Sequence, residues 1–418
     1  MYALVDAVAF YASAEKVFDP AIRNKPVVVL TNNDGCVCAV CPIARRLGIP
    51  KFQPFFKVKH VLEKHQVVIR SSNYELYADL SERMMNTLAR FCDKQHIYSI
   101  DEAFLDFNGF ATLISDWSNF GQFIRRTVWR ETKLPVGVGF GPTATLAKAA
   151  NHAAKKLAGF NGVAVISDEQ SRKQVLAAMA VGDIWGVGRR LANKLKLINI
   201  HSGLDLAEQS PQRIKRLFSV VLARTVKELN GIPCLSWDDV RQDKKQLFST
   251  RSFGQRITDR QALKTALINH ACVVARKLRE QKSLAQRLVI FVASSPHQQG
   301  YYKKSYSYQF SAPTADSITL TNAVTDIFAQ LYKPGVAFYK CGVGALELSS
   351  QVFQQRDLFA NEHRDPKLMS CLDTINARYG IGTLAIASAT QTQRWHMKRQ
   401  YLSPHYTTRW HDLPKIQC

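Results

Sequence analysis

Long apolar runs are missing from this 418-residue chain: no stretch of about 18 apolar residues exists, and the one hydrophobic N-terminal segment is broken at Asp6. A spanning helix is therefore not expected, nor a signal peptide. Acidic residues are scarce, 33 Asp and Glu against 56 Lys and Arg, for a formal net charge of +23. The excess is spread along the chain rather than gathered in one tail, so a large anionic partner explains it better than a basic localisation signal. Nucleic acid is the leading candidate and an anionic membrane surface the rival. The nine cysteines are odd in number and scattered in apolar surroundings such as Ala271-Cys272-Val273, which predicts reduced thiols and no disulfide framework. Cys36, Cys38 and Cys41 have no fourth ligand nearby, so zinc is not expected there. No Ser-His-Asp grouping, P-loop or His-Glu-x-x-His is evident.

What is present suits roughly three or four domains of about 100 to 150 residues each. Tyr2-Ala3-Leu4-Val5 is a short β-type run that stops at Asp6, and a helix-like stretch begins near Phe10 and Tyr11. Pro26 to Leu30 reads as a buried strand closed by Asn32-Asn33-Asp34-Gly35, residue types that tolerate positive φ in a turn. Leu76, Leu80, Met84 and Leu88 recur every four positions and mark a core-facing helix face. Pro135 to Phe140 reads as a strand, and Thr143 to Lys156 as an alanine-rich helix bearing Lys148, Lys155 and Lys156. Residues 170–235 predict several short helices without strands. Beyond a polar linker near 241–245 the order is strand, helix, strand, strand, helix, strand, a βαββαβ sheet with two helices on one face. Residues 241–350 hold 16 Lys and Arg against 6 Asp and Glu, so an anionic partner is gripped hardest here. The last 68 residues have weaker periodicity and read as an appended tail.

The strongest chemical signal is Tyr98-Ser99-Ile100-Asp101-Glu102-Ala103-Phe104, where two adjacent acids interrupt apolar residues of a sheet. Neighbouring carboxylates in a half-buried sheet repel each other, and a divalent cation relieves that repulsion. With Asp6 at another strand end, three acids suffice to hold two Mg²⁺ ions for in-line phosphoryl chemistry.

The chain resembles the Y-family translesion DNA polymerases, and among them the UmuC-type catalytic subunits of bacterial DNA polymerase V. The resemblance rests on Asp6–Glu15, Lys25–Val37, Ser71–Asp79, Tyr98–Phe104, Val136–Lys155, Trp185–Leu195 and the tail around Trp395–Arg399, in the family's order and nearly end to end. It implies an α+β right-hand polymerase: a palm over 1–15 and 71–166, small fingers over 16–70, a helix-hairpin-helix thumb over 167–240, a little finger over 241–350 and a tail over 351–418. It implies that Asp6 and Asp101 bridge two Mg²⁺ ions, that Glu102 completes the catalytic ion's shell, and that the Ala7 carbonyl adds a ligand. Phe10 and Tyr11 fall at the nucleotide, Tyr11 as the steric gate whose ring occupies the space of a ribose 2′-hydroxyl. Arg45 and Lys155 match contacts to the incoming triphosphate; Pro42 stands where many members have a tyrosine, so one hydroxyl contact is lost.

Gly186-Val187-Gly188 resembles a hairpin whose backbone amides approach a DNA phosphate, or is a ligand-free interhelical turn. Arg251 is placed on the DNA. Gln355-Arg356-Asp357-Leu358-Phe359 resembles a sliding-clamp peptide, Gln355 making polar contacts and Leu358 and Phe359 filling an apolar pocket, with Arg356 departing from the usual apolar residue. The implied partners are primer-template DNA, deoxynucleoside triphosphates, a processed UmuD-type dimer, the RecA filament and the clamp, in the cytoplasm at the nucleoid. Two other classes stay open at this point, a catalytically silent DNA-binding subunit and a palm-fold nucleotidyl cyclase.

Overall fold

The computed structural model describes residues 1–110, 112–235, 243–353, 366–389 and 397–413. They form two compact units, Met1–Asp239 with Arg399–Cys418, and Val240–Lys398. The first runs β1 (Tyr2–Ala7), α1 (Phe10–Glu15), β2 (Val27–Leu30), β3 (Val37–Val40), α2 (Pro42–Arg46), α3 (Phe55–Lys64), β4 (Val68–Ser71) and α4 (Tyr74–Leu88). It continues through β5 (Lys94–Ile97), β6 (Glu102–Asp106), α5 (Trp117–Thr132), β7 (Val136–Gly141), α6 (Ala144–Lys156) and β8 (Val163–Val165). Five helices follow: α7 (Glu169–Ala177), α8 (Arg189–Lys196), α9 (Gly203–Ala207), α10 (Pro211–Leu217) and α11 (Val220–Leu229).

The central sheet has the order β5-β6-β1-β7-β8, antiparallel except where β7 meets β8. Alternation sorts its side chains. Ala3, Val5, Ala103 and Leu105 join Met84, Leu88, Ile124 and Val128 in the main core. Leu4 and Phe104, paired across the strands, turn the other way and pack on Ala144 and Ala147 of α6. Helix α6 lies so close to β7 that a Cβ at Gly139 would sit 2.0 Å from the Asn151 nitrogen, and one at Gly141 2.6 Å from the Ala147 nitrogen. Only glycine permits that approach. A smaller sheet, β3-β2-β4 with β2 and β4 parallel, stands beside it. Helices α7 to α11 share a core with one face of α6, around Leu146, Leu176, Ile184, Leu195, Ile214 and Val226, and Asp168, Ser202, Ser210 and Ser219 cap four of them.

The second unit runs β9 (Leu247–Ile257), α12 (Arg260–Glu280), β10 (Ser283–Ser294), β11 (Lys303–Thr314), α13 (Ser317–Leu331), β12 (Phe338–Ser350) and α14 (Pro366–Tyr379). Its sheet order is β11-β10-β12-β9, all antiparallel, the expected βαββαβ arrangement. Leu288, Ile290, Val292, Cys341, Val343 and Ala345 face α12 and α13. Lys340, Gly342 and Phe291 alternate with them and line the other face. Asp373 of α14 accepts two hydrogen bonds from Arg279 of α12, at 2.6 and 2.8 Å.

The tail does not simply trail from the second unit. After α14 the chain returns, and residues 399–413 dock on the first unit, with Tyr401 and Tyr406 packed against its main core.

Candidate active site

Strand β1 and strand β6 pair so that Asp6 lies opposite Glu102, with Asp101 one residue before β6. The Ala7 amide donates to the Asp101 carbonyl at 2.9 Å, which fixes the approach of the two strand ends. Each acid has a polar partner. Lys155 Nζ is 2.6 Å from Asp6 Oδ1, Lys148 Nζ donates to both Glu102 oxygens at 3.0 and 3.1 Å, and Ser99 Oγ donates to Asp101 Oδ1 at 2.5 Å. Burial pushes the Asp6 carboxyl up; Lys155 pulls it back, and the charges of Asp101 and Glu102 raise it again.

The lysines arrive there because of β7. A Cβ at Gly137 would lie 2.9 Å from Lys155 Cε, so the lysine stem runs across a strand position that carries no side chain. Asn151 fastens the helix by donating to the Leu4 carbonyl at 3.1 Å and the Gly137 carbonyl at 2.8 Å. Lys148 sits two turns from Lys155 on the same face, 4.5 Å from the Tyr98 ring and 5.2 Å from the Trp185 ring. Trp185 Nε1 donates to the Tyr98 hydroxyl at 3.2 Å. A cavity of about 220 Å³ opens beside Asp6, Lys148, Asn151, Lys155, Asp183 and Trp185. Sequence reading noted Lys148 only as a helix lysine; its seven-residue spacing from Lys155 and the Val136-Gly137-Val138-Gly139 alternation were the signals.

Three carboxylates with neighbouring backbone carbonyls are hard oxygen donors, and crowded negative charge around a half-buried aspartate suits a hard dication such as Mg²⁺. Among the described residues no three His, Cys, Asp or Glu side chains stand close enough to hold an ion as placed, because Asp6 and Glu102 are turned toward lysines. The donor set fits; its side chains would have to swing inward.

Ala9 precedes α1 at φ 49°, a left-handed conformation for a residue with a Cβ, and Ser13 Oγ steadies the turn by donating to the Val8 carbonyl at 2.7 Å. Phe10 goes into the core and Tyr11 stays half-buried. Tyr11 stacks on Tyr77 at 4.5 Å and 15° and meets Tyr74 edge-on at 6.1 Å. Burial pushes its hydroxyl up, with Tyr74, Cys38 and Asp101 adding to the effect. Arg45 is exposed on α2. Lys51, which sequence reading missed, has its pKa lowered by burial and by Arg45 while Cys38, Asp101 and Asp6 oppose the shift, so it shares the field of the acids. Cys41 caps α2, its sulfur accepting from Val27 and Ala44 amides at 3.2 and 3.4 Å.

Gly186, at φ 87°, and Gly188 lie exposed in the turn before α8, with open space where a Gly188 side chain would be. Arg251 lies exposed on the edge strand β9, two residues from Ser249, whose hydroxyl bonds His270 Nδ1 at 2.8 Å. Gln355, Leu358 and Phe359 lie outside the described residues. No helix among the described residues is long and apolar enough to cross a membrane.

Comparison with known proteins agrees with this geometry. Residues 5–152 match the impB/mucB/samB family, residues 244–358 its C-terminal domain, and residues 366–416 a domain of unknown function, DUF4113. The chain is 43% identical to Protein UmuC of Salmonella typhimurium over all of both chains, and 36% identical to Protein MucB of Escherichia coli over 99% of each. DNA polymerase IV 1 of Bacillus subtilis is 25% identical over 90% of each chain. Among solved structures, a Y-family DNA polymerase chimera of Dbh and Dpo4 superposes with a TM-score of 0.64 at 20% identity, covering 84% of this chain and 99% of that one. An insertion ternary complex of Dbh DNA polymerase gives 0.54, with the same coverage and identity. Matched along its whole length to UmuC and carrying both family segments, the chain belongs to the impB/mucB/samB family and has the fold of a Y-family DNA polymerase.

Proposed function

We propose that this chain adds deoxynucleotides to a primer opposite damaged template, the error-prone translesion synthesis of its family. The observation that carries the reading is the constellation on β1, β6 and α6: Asp6, Asp101 and Glu102 gathered at the adjoining ends of two interior strands with Lys148 and Lys155 already among them. A polymerase of this fold works with a divalent metal. Asp6, Asp101, Glu102 and the Ala7 carbonyl would hold two Mg²⁺ ions, which when bound activate the primer 3′-hydroxyl and neutralise the leaving pyrophosphate.

The remaining work falls to side chains. Lys155, Arg45 and Lys51 receive the triphosphate, Lys155 giving up Asp6 for a phosphate oxygen. The Tyr11 ring excludes a ribose 2′-hydroxyl, and Phe10 supports it from the core. In this reading the first unit supplies palm, fingers and thumb, with the Gly186 and Gly188 turn on a DNA phosphate. The second unit is the little finger, and Arg251 with the open sheet face holds primer-template DNA. Gln355, Leu358 and Phe359 hold the sliding clamp, and a processed UmuD-type dimer and the RecA filament complete the assembly at the nucleoid.

The test is primer extension on undamaged and abasic templates with Mg²⁺, comparing wild type, supplied with UmuD-type and RecA partners, with Asp101→Ala plus Glu102→Ala. Bypass by the wild type alone supports the assignment. Equal synthesis by both refutes the metal site, and synthesis by neither leaves a DNA-binding subunit without activity of its own.

A further inference from the structure

Residues 399–413 touch two layers of the first unit at once. On the small-sheet side, the Gln400 amide donates to Asp34 Oδ2 at 2.8 Å, the Ser71 amide donates to the Tyr401 carbonyl at 3.0 Å, and the Tyr401 amide donates to Ser71 Oγ at 3.0 Å. Ser71 Oγ in turn donates to Asp34 Oδ1 at 2.6 Å, so both oxygens of a buried carboxylate, in a turn where Asn33 and Asp34 have positive φ, are committed. Tyr401 packs on Phe55 at 5.8 Å. On the helix side, Asn73 Nδ2 donates to Ser403 Oγ at 3.0 Å and to the Ser403 and Pro404 carbonyls at 3.2 and 3.3 Å. Arg399 pairs with Glu75 at 3.3 Å, and Tyr406 stacks on Phe18 at 5.3 Å.

Asn73 is fully buried, and its Oδ1 accepts from the Leu76 amide as the N-cap of α4, the helix that carries Tyr74 and Tyr77. The Tyr77 hydroxyl donates to buried Glu15 at 2.6 Å. Burial pushes the Glu15 carboxyl up and the hydrogen bond from Tyr77 pulls it down, while Arg70 Nε stands 3.7 Å from its other oxygen. Ser403 and Asn73 thus fix the start of α4, Glu15 holds Tyr77 one turn along it, all four are buried, and Tyr77 is the ring on which Tyr11 stacks. Buried hydrogen bonds fix geometry more tightly than apolar contacts do.

We infer that residues 399–413 are a positioning strap for the nucleotide site: Ser403, through Asn73 and the start of α4, sets the place of Tyr77 and so of Tyr11, and hence the preference for deoxynucleotides. This rests on the steric-gate reading of Tyr11. It gives the second half of the segment matched as a domain of unknown function a task in substrate selection. Ser403 is a positioning residue; nothing requires it to touch substrate.

The experiment measures steady-state incorporation of one matched deoxynucleotide and its ribonucleotide by the full chain with its partners, on an undamaged template. Ser403→Ala should raise the deoxynucleotide KM about five-fold and the ribo-to-deoxy ratio by a similar factor, with kcat within about two-fold. Ser403→Thr should restore both. Tyr77→Phe, which keeps the ring and removes the hydroxyl, should shift the ratio the same way, and the double variant should fall short of the product of the two. A Ser403→Ala enzyme that loses kcat and thermal stability together, with KM and the ratio unmoved, overturns the inference. If Ser403→Ala does not fold, Tyr77→Phe decides by the same ratio. Tyr11→Ala runs alongside: an unchanged ratio there refutes the gate itself, whereas a changed ratio there with none in the other variants refutes only the strap.

Discussion

Gly139 offers the sharpest test of how α6 is seated. A Cβ at this position would stand 2.0 Å from the Asn151 nitrogen, 2.5 Å from the Ala147 oxygen and 2.6 Å from the Ala150 carbonyl carbon, all atoms of helix backbone. No rotamer change relieves that. To reach the 3.0 Å that real Cβ atoms keep, α6 must back away from β7 by about 1 Å. Overpacking of this kind costs about 1–3 kcal/mol, and the upper end applies because the obstacle is main chain. For a unit of this size, roughly 3 kcal/mol lowers Tm by about 6–12 °C. The same retreat lengthens the two Asn151 hydrogen bonds and draws Lys148 and Lys155 off their acids. A displacement of about 1 Å at reacting groups is enough for a loss near 10²-fold in rate. Thermal melting by circular dichroism, with single-nucleotide incorporation well below the transition, reads both effects for Gly139→Ala. Gly188→Ala is the control for melting: it has open space and a φ of −76°, so its Tm should stay within about 1 °C. A Gly139→Ala protein that melts like wild type and keeps its rate would refute this account of the helix.

His270 gives a pH prediction. Burial first, then the charges of Arg251 and Lys277, push its imidazole from the ordinary 6.5 down to about 4. Between those values the unfolded chain holds a proton that the folded chain refuses, so stability is full above pH 6.5 and falls as pH drops toward 4, by about 3 kcal/mol in all. Urea unfolding of the second unit across this range should show the fall in wild type and a flatter slope in His270→Gln; parallel slopes contradict the assignment. For the proposed clamp peptide, Leu358→Ala with Phe359→Ala should abolish clamp-stimulated synthesis while leaving short-template extension within about two-fold, and loss of both activities would point to a folding role.

Much of the fold could be read from local pattern. The break of an apolar run at Asp6, the four-residue recurrence from Leu76 to Leu88 and the strand-helix order after residue 247 each report a neighbourly contact, and the elements stand within a few residues of where those signals put them. The acids could be read too, since a carboxylate pair inside an apolar strand is chemically conspicuous. Lys148 was harder, because its spacing from Lys155 and the glycines of β7 gain meaning only once α6 is seen to lie flat on that strand, a fact of packing between two elements. The return of the tail was harder still. Asn73 and Ser403 are 330 residues apart and meet through hydrogen bonds of short polar side chains, which leave no periodicity behind. Lys51 was hidden for a related reason: its link to Arg45 and the acids is made by the field across a fold, not by spacing.

The path of the chain has a further consequence. Because residues 240–398 leave the first unit and residues 399–413 rejoin it, the βαββαβ unit is an insert with two junctions. Exchanging it between relatives is therefore a two-ended operation. A hybrid joined only near residue 240 would import a foreign return segment along with the foreign βαββαβ unit. It would have to find Asp34, Ser71, Asn73 and Phe18 on its new host before the first unit was whole. Hybrids joined at both ends keep the host's own strap, and the modularity of this polymerase is to be sought in those.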